Sequence, residues 1–107
     1  MIEEFLAHLT YVRNASIHTQ RAYKKDLYTT QQTLKTDWDK ITSTQIYQYV
    51  WRSGFKPNTA YRKLAALKAF YRWLAEEKKI LYKSWSDLQQ KFDHFKNAVK
   101  SIVLIID

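Results

Sequence analysis

Residues 54–74, with the sequence Gly-Phe-Lys-Pro-Asn-Thr-Ala-Tyr-Arg-Lys-Leu-Ala-Ala-Leu-Lys-Ala-Phe-Tyr-Arg-Trp-Leu, decide the fold of this chain. Gly54 suits the end of one helix, and Pro57 suits the first turn of the next, where a missing backbone N–H costs nothing. Apolar side chains then recur at the three- and four-residue spacing of one helix face. These are Ala60, Leu64, Leu67, Tyr71 and Leu74, with Ala65, Ala66, Ala69, Phe70 and Trp73 covering much of the remaining circumference. A helix that is apolar nearly all round is typical of the centre of a bundle, and we predict one from Pro57 to about Lys78.

Three shorter amphipathic segments precede this central helix. They are predicted over residues 2–13, 16–36 and 43–53, with Ser16 as the second N-cap and Thr42 or Ser43 as the third. The buried stripe of the second helix is predicted to be Tyr23, Leu27, Thr30 and Leu34. Trp38 lies between the second and third segments and is expected to anchor their connection in the core.

A fifth amphipathic segment follows the central helix and opens at Ser84 or Ser86. Its apolar residues in helical phase are Trp85, Leu88, Phe92, Phe95 and Val99. The aliphatic run 102–106 is expected to be buried or to contact a partner, since such a run is unfavourable in water. Together the segments predict an all-α fold, a compact bundle of four to five helices.

The composition excludes several classes of protein. A single glycine and a single proline in 107 residues argue against a loop-rich or all-β fold and leave no glycine-rich phosphate loop. No cysteine is present, which excludes disulfides and thiolate zinc sites, and His8, His18 and His94 are too dispersed to suggest a metal site. We therefore predict no metal and no cofactor, and no enzyme activity from this chain alone. The longest aliphatic run has five residues, so we expect no membrane partner and a cytoplasmic location.

The positive charge of the chain is concentrated. Lys and Arg number 18 against 10 Asp and Glu, for a formal net charge of +8. Residues 5–25 and 40–75 contain no acid, yet they hold four and seven of the basic residues. Clustered cations favour a polyanion, because counterions leave nucleic acid when its phosphates meet Lys and Arg. The pattern favours nucleic-acid binding over a surface that serves only solubility.

Two stretches taken together resemble a known family. Residues 16–27, Ser-Ile-His-Thr-Gln-Arg-Ala-Tyr-Lys-Lys-Asp-Leu, contain Ser-x-x-Thr, a Tyr four residues later and then Asp-Leu. Residues 54–74 contain Thr-x-x-Arg-x-Leu-x-x-Leu-x-x-Phe-Tyr-x-x-Leu after a glycine-containing turn. In this order they look like the N-terminal core-binding, SAM-like domain of tyrosine recombinases, which include the Xer proteins and phage integrases. The resemblance covers residues 2 to about 80, and the segment from Ser84 onward lies outside it.

The resemblance implies a bundle that holds one face of duplex DNA with its second and fourth helices at the major groove, while a separate C-terminal domain cuts the strand. Carried over by position, the residues expected to face DNA are Thr19, Arg21, Asn58, Thr59 and Arg62. The expected phosphate contacts are Lys24, Lys25, Lys56, Lys63 and Lys68. Helix N-termini attract phosphate independently, and Arg and Asn have the donors that read guanine and adenine. Two alternatives stay open: Thr19 and Asn58 as capping residues, and Arg21 and Arg62 as solvated or paired with Asp26 or with Glu residues.

The sequence thus predicts a core-binding DNA-binding helical domain over residues 1–83. Residues 84–107 form a C-terminal helix and aliphatic tail, packed on that domain or in contact with a partner. The expected function is duplex DNA binding at an attachment or recombination core site, in a tyrosine recombinase of bacterial, phage or archaeal type, without the catalytic domain. One alternative is a stand-alone DNA-binding regulator built on the same bundle. Another is a helical protein-interaction module, which would associate with itself or with recombinase subunits through the C-terminal segment.

Overall fold

The computed structural model describes the backbone of residues 1–52, 54–77, 80 and 82–106, and the side chains of residues 1–50, 54–77, 80 and 86–98. Within these residues the structure has five α-helices: α1 (Ile2–Tyr11), α2 (Ile17–Leu34), α3 (Ser43–Arg52), α4 (Pro57–Glu76) and α5 (Tyr82–Ile106). A single 3₁₀ turn, Trp38–Lys40, lies between α2 and α3. The described residues contain no strand, and the predicted all-α fold is confirmed.

Local side-chain chemistry sets where α2 and α3 begin. The Ser16 hydroxyl accepts a hydrogen bond from the Thr19 backbone N–H at 3.2 Å and so caps α2. At the start of α3, the Thr42 hydroxyl accepts from the Gln45 N–H at 3.2 Å, while the Gln45 side-chain oxygen accepts from the Thr42 N–H at 2.9 Å. This reciprocal pair is a capping box, and it selects Thr42 over Ser43 as the cap.

Three of the described residues between the helices have a left-handed backbone conformation, and one of them ends a helix. Lys35 has φ +50° and closes α2 at Leu34, before the predicted end near Thr36. Asn14 has φ +51° in the connection between α1 and α2, and α1 itself ends at Tyr11, two residues earlier than predicted. Gly54 has φ +71° in the connection between α3 and α4, a conformation that glycine adopts without steric cost.

The core is organised around α4, as its sequence pattern predicts. Every member of the predicted α4 stripe is buried: Ala60, Leu64, Leu67, Tyr71 and Leu74. Phe70, on another face of α4, is fully buried, with ring centroids 4.8 Å from Trp38 and 5.3 Å from Phe5 of α1. The central helix therefore carries core residues on more than one side and packs against its neighbours on each.

Helix α5 is part of the same core. It begins at Tyr82, before the predicted Ser84 or Ser86, and it buries Phe92 and Phe95. The Phe92 ring lies 5.9 Å from that of Tyr71 in α4. The side chains of Trp85, Val99 and residues 102–106, which we expected to be apolar contacts, lie outside the described residues.

No described helix is long and apolar enough to cross a membrane. No group of three or more His, Asp or Glu within the same residues is placed to hold a metal ion.

Candidate nucleic-acid interface

Asp26 joins the two segments that carry the resemblance. Its side chain is 1% exposed, and it lies between α2 and α4. Arg62 of α4 donates from Nε to Asp26 Oδ2 and from Nη2 to Asp26 Oδ1, both at 3.1 Å. Lys63 donates from Nζ to the same Oδ1 at 3.2 Å. One buried carboxylate thus pairs with two neighbouring cations.

The two cations differ in what they show to solvent. The Arg62 side chain is 50% exposed, whereas that of Lys63 is 5% exposed and has its ammonium 5.0 Å from the centroid of the Phe55 ring. The structure therefore realises one of the alternatives for Arg62, pairing with Asp26. It also places the Lys63 ammonium inside the bundle, where a phosphate on the surface does not reach it. We leave Lys63 out of the candidate interface for that reason.

Sequence reasoning did not find Asp26 as a buried residue, although a signal was present. Asp26 stands three residues after Tyr23 and four before Thr30, so it shares the helix face that was predicted to be buried. Thr30 is itself fully buried and donates its hydroxyl to the Asp26 carbonyl at 2.7 Å. A carboxylate within an apolar stripe requires a cation opposite, and the neighbouring acid-free segment supplies two.

Lys68, an expected phosphate contact, pairs with α5 instead. Its ammonium donates to the Asp93 carboxylate, and its side chain is partly buried. Nearby, the Lys96 ammonium of α5 lies 5.3 Å from the centroid of the Tyr61 ring of α4. Helix α5 therefore occupies the flank of α4 that carries Lys68.

The first turns of α2 present a cluster of unpaired cations. Arg21, Lys24 and Lys25 are exposed, and none forms an ion pair with the described part of the chain. Residues three and four apart share one helix face, so Arg21 lies beside both lysines. Thr19 lies at the same end, half-buried, and its hydroxyl accepts from Ser16 at 3.1 Å. Ser16 is thus the cap, and the Thr19 hydroxyl keeps its own hydrogen to donate.

The N-terminus of α4 also carries exposed polar groups. Lys56 occupies the N-cap position without a capping side-chain hydrogen bond, and Pro57 follows it. Asn58 is exposed, and Thr59 is half-buried. Asn58 is therefore not the cap of α4. The first N–H groups of a helix that lacks a capping side chain carry a partial positive charge toward solvent.

The geometry brings these groups onto neighbouring elements. Lys25 directly precedes Asp26, and Asn58 lies one turn before Arg62 on α4. The bonds between Asp26 and Arg62 hold together α2 and the N-terminal half of α4, the two helices that carry these groups. Arg and Lys side chains can bind the phosphates of a nucleic acid, and an Asn side chain can form hydrogen bonds with base edges.

Comparison with known proteins assigns the chain to a family. Relatives include the tyrosine recombinase XerC of Xanthomonas campestris pv. campestris, which is 33% identical over an 87-residue alignment that covers 74% of this chain and 27% of that protein. The XerC of Chlorobaculum tepidum is 34% identical over a 90-residue alignment that covers 72% of this chain and 27% of the relative. The chain thus spans about a quarter of the length of these relatives. No solved structure matches it significantly. The model of the phage integrase N-terminal SAM-like domain matches residues 2–78, and the chain belongs to this family.

Proposed function

We propose that this chain binds duplex DNA as the core-binding domain of a site-specific tyrosine recombinase and does not itself cut the strand. The observation that carries the proposal is the set of exposed cations Arg21, Lys24 and Lys25, which form no ion pair with the described residues and lie on α2, the helix that Asp26 and Arg62 bind to α4. Relatives named tyrosine recombinases support it, and so does the family match, which covers the N-terminal SAM-like domain alone.

Each group has a distinct role in this proposal. Arg21, Lys24, Lys25 and Lys56 contact phosphates, which hold the domain on the duplex without reading its sequence. Asn58 and Thr59 lie at the start of α4 and contact base edges, where an Asn amide pairs best with adenine. Thr19 donates its hydroxyl to a phosphate beside the α2 N-terminus. Lys68 contributes its charge but is held by Asp93.

The electrostatic part is tested by the salt dependence of binding. Four phosphate contacts predict a slope of about −4 in a plot of log affinity against log salt, so affinity falls roughly a hundredfold between about 50 and 200 mM salt. Fluorescence anisotropy with labelled duplexes measures this slope. Failure to bind any duplex, or binding that salt does not weaken, would contradict the proposal.

A charge-matched pair of variants locates the interface. The triple variant Arg21→Gln, Lys24→Gln, Lys25→Gln removes three charges from the start of α2. The control triple Lys35→Gln, Lys40→Gln, Lys91→Gln removes three exposed charges elsewhere and leaves the same net charge. The first should lower the slope by about 3, whereas the control should change it by less than about 1. Equal slopes would mean that binding depends on net charge and not on this face.

Sequence preference and cleavage need separate measurements. Selection from a random duplex library should yield a preferred site, because base-edge contacts discriminate by about 1–3 kcal/mol per pair. The same mixtures, resolved on a denaturing gel, should show intact strands. A covalent protein–DNA product would overturn the part of the proposal that separates this chain from strand cutting.

A further inference from the structure

The Asp26 cluster has more positive charge than the carboxylate needs. A buried carboxylate requires one cation with good geometry, and Arg62 alone provides a two-point contact. Lys63 is a second, buried cation on the same oxygen, so the cluster carries a net charge of about +1. If Asp26 and Arg62 were alone, the pair would be neutral and would attract a phosphate only weakly.

The guanidinium of Arg62 is fixed along one edge and open along the other. A guanidinium carries five N–H donors. Asp26 takes two of them, at Nε and Nη2, and no other described residue takes the remaining three. Because half of the side chain is exposed while Asp26 is buried, the remaining donors lie on the solvent side.

We propose that Asp26 is a positioning residue that holds the Arg62 guanidinium with its free edge toward the DNA duplex, and that buried Lys63 compensates Asp26 so that Arg62 keeps its positive charge for the DNA. This inference rests on the proposed function. It assigns roles to two residues that do not touch DNA, since Asp26 and Lys63 are both inside the bundle.

Anchoring favours binding for an entropic reason. A free arginine side chain loses rotamer entropy when it is immobilised on a ligand. An arginine already held by Asp26 has lost most of that freedom on folding, so the contact with DNA costs less. Binding through Arg62 should therefore depend on Asp26 even when the charge of Arg62 is unchanged.

The test is a mutant cycle that removes the anchor without changing net charge. Asp26→Asn combined with Lys63→Met deletes one negative and one positive charge and leaves Arg62 in place. Replacement of a buried pair by neutral groups of similar volume is often tolerated. Arg62→Ala should weaken duplex binding about tenfold in the parent and less than about twofold in the Asp26→Asn, Lys63→Met background.

A purely structural Asp26 predicts a different result. If Asp26 serves only the stability of the fold, the double variant lowers the urea midpoint of unfolding, but Arg62→Ala still weakens duplex binding about tenfold in both backgrounds. This outcome overturns the inference. If the double variant does not fold by circular dichroism, Asp26→Glu replaces it. That change keeps both charges and displaces the fork by one methylene, and the same loss of dependence on Arg62 is expected. An undiminished cost of Arg62→Ala there overturns the inference equally.

Two controls separate this inference from the function on which it rests. Arg72 also pairs with a carboxylate from α4, Glu76, at 3.2 Å, but on an exposed surface. Arg72→Lys should bind as the parent does, whereas Arg62→Lys, which keeps the charge but loses the fork, should bind about as weakly as Arg62→Ala. A parent chain that binds no duplex refutes the proposed function. A parent that binds with full salt dependence, yet tolerates Arg62→Ala, refutes only the role of Asp26 and Arg62.

Discussion

The Tyr71 hydroxyl donates a 2.6 Å hydrogen bond to the backbone carbonyl of Trp38. Both side chains are buried, and their ring centroids are 6.0 Å apart in an edge-to-face arrangement. The bond joins α4 to the 3₁₀ turn that connects α2 with α3. It gives a hydrogen-bond donor to a carbonyl that lies outside any α-helix.

Tyr71→Phe should lower the free energy of unfolding by about 1–2 kcal/mol, because it removes a buried hydrogen bond to the Trp38 carbonyl. Urea denaturation followed by circular dichroism measures the change. Tyr49→Phe is the matched control, since the Tyr49 hydroxyl is buried and has no hydrogen-bond partner among the described residues. That substitution should be neutral or slightly stabilising. Equal losses in the two variants would show that the bond to Trp38 adds nothing.

Tyr71 should also affect how the free energy of unfolding changes at alkaline pH. Burial raises the pKa of Tyr71 above its usual value of 10.0. Its contribution is fully present below pH 10 and declines above it, because the unfolded chain then releases a proton that the folded chain retains. Unfolding measured from pH 8 to 11.5 should show the parent losing up to about 1.4 kcal/mol per pH unit more than Tyr71→Phe above pH 10. Parallel pH profiles for the two proteins would contradict this account.

Substitutions of Ser16 and Asn58 should affect different properties: the first the free energy of unfolding, the second DNA binding. Ser16→Ala removes the side-chain cap of α2 and should cost about 1 kcal/mol in the free energy of unfolding. Asn58→Ala should leave that free energy within about 0.5 kcal/mol, because the side chain is exposed and caps nothing.

In DNA selection, Asn58→Ala should relax the base preference at one position of the preferred site. The control Gln48→Ala removes an exposed amide from α3 and should leave the preference unchanged. An unaltered selected site for Asn58→Ala would remove this residue from the interface.

Phe92→Ala tests whether α5 is integral to the bundle. Phe92 is 1% exposed and packs on Tyr71, so truncation leaves a cavity and should cost about 3–5 kcal/mol. Thermal unfolding and urea titration measure the loss. Tyr11→Ala removes an aromatic ring that is 86% exposed and should change stability by less than about 0.5 kcal/mol. A loss at Phe92 as small as that at Tyr11 would mean that α5 only rests on the surface.

Much of the fold follows from local patterns in the chain. The three- and four-residue spacing of apolar side chains predicts α4 and its buried stripe, and Ser16 predicts the start of α2. These features depend on interactions within about one helical turn, so neighbouring residues carry the information. Helix ends were predicted less well, as at Lys35, because a left-handed non-glycine residue has no strong local signal.

The sequence predicted the residue types of the candidate site, but it did not predict which cations form ion pairs with which carboxylates. The acid-free windows and the resemblance indicate a cationic face on α2 and α4. They do not show that Lys63 is buried, that Lys68 is held by Asp93, or that Arg62 is bound along one edge only. Asp26 and Arg62 are 36 positions apart, and no local rule relates them.

The helical periodicity and the uneven distribution of charged residues along the sequence therefore predict an all-α basic bundle and its exposed cations. Both patterns can be recognised from residues that are close together in the sequence. The packing of α2 and α5 against α4 decides how the charged side chains pair. It determines that Arg62 and Lys63 neutralise Asp26, because a buried carboxylate must be paired by a cation that the fold brings within about 3 Å. It also determines that Lys68 pairs with the half-exposed Asp93, and therefore which cations remain for a polyanion.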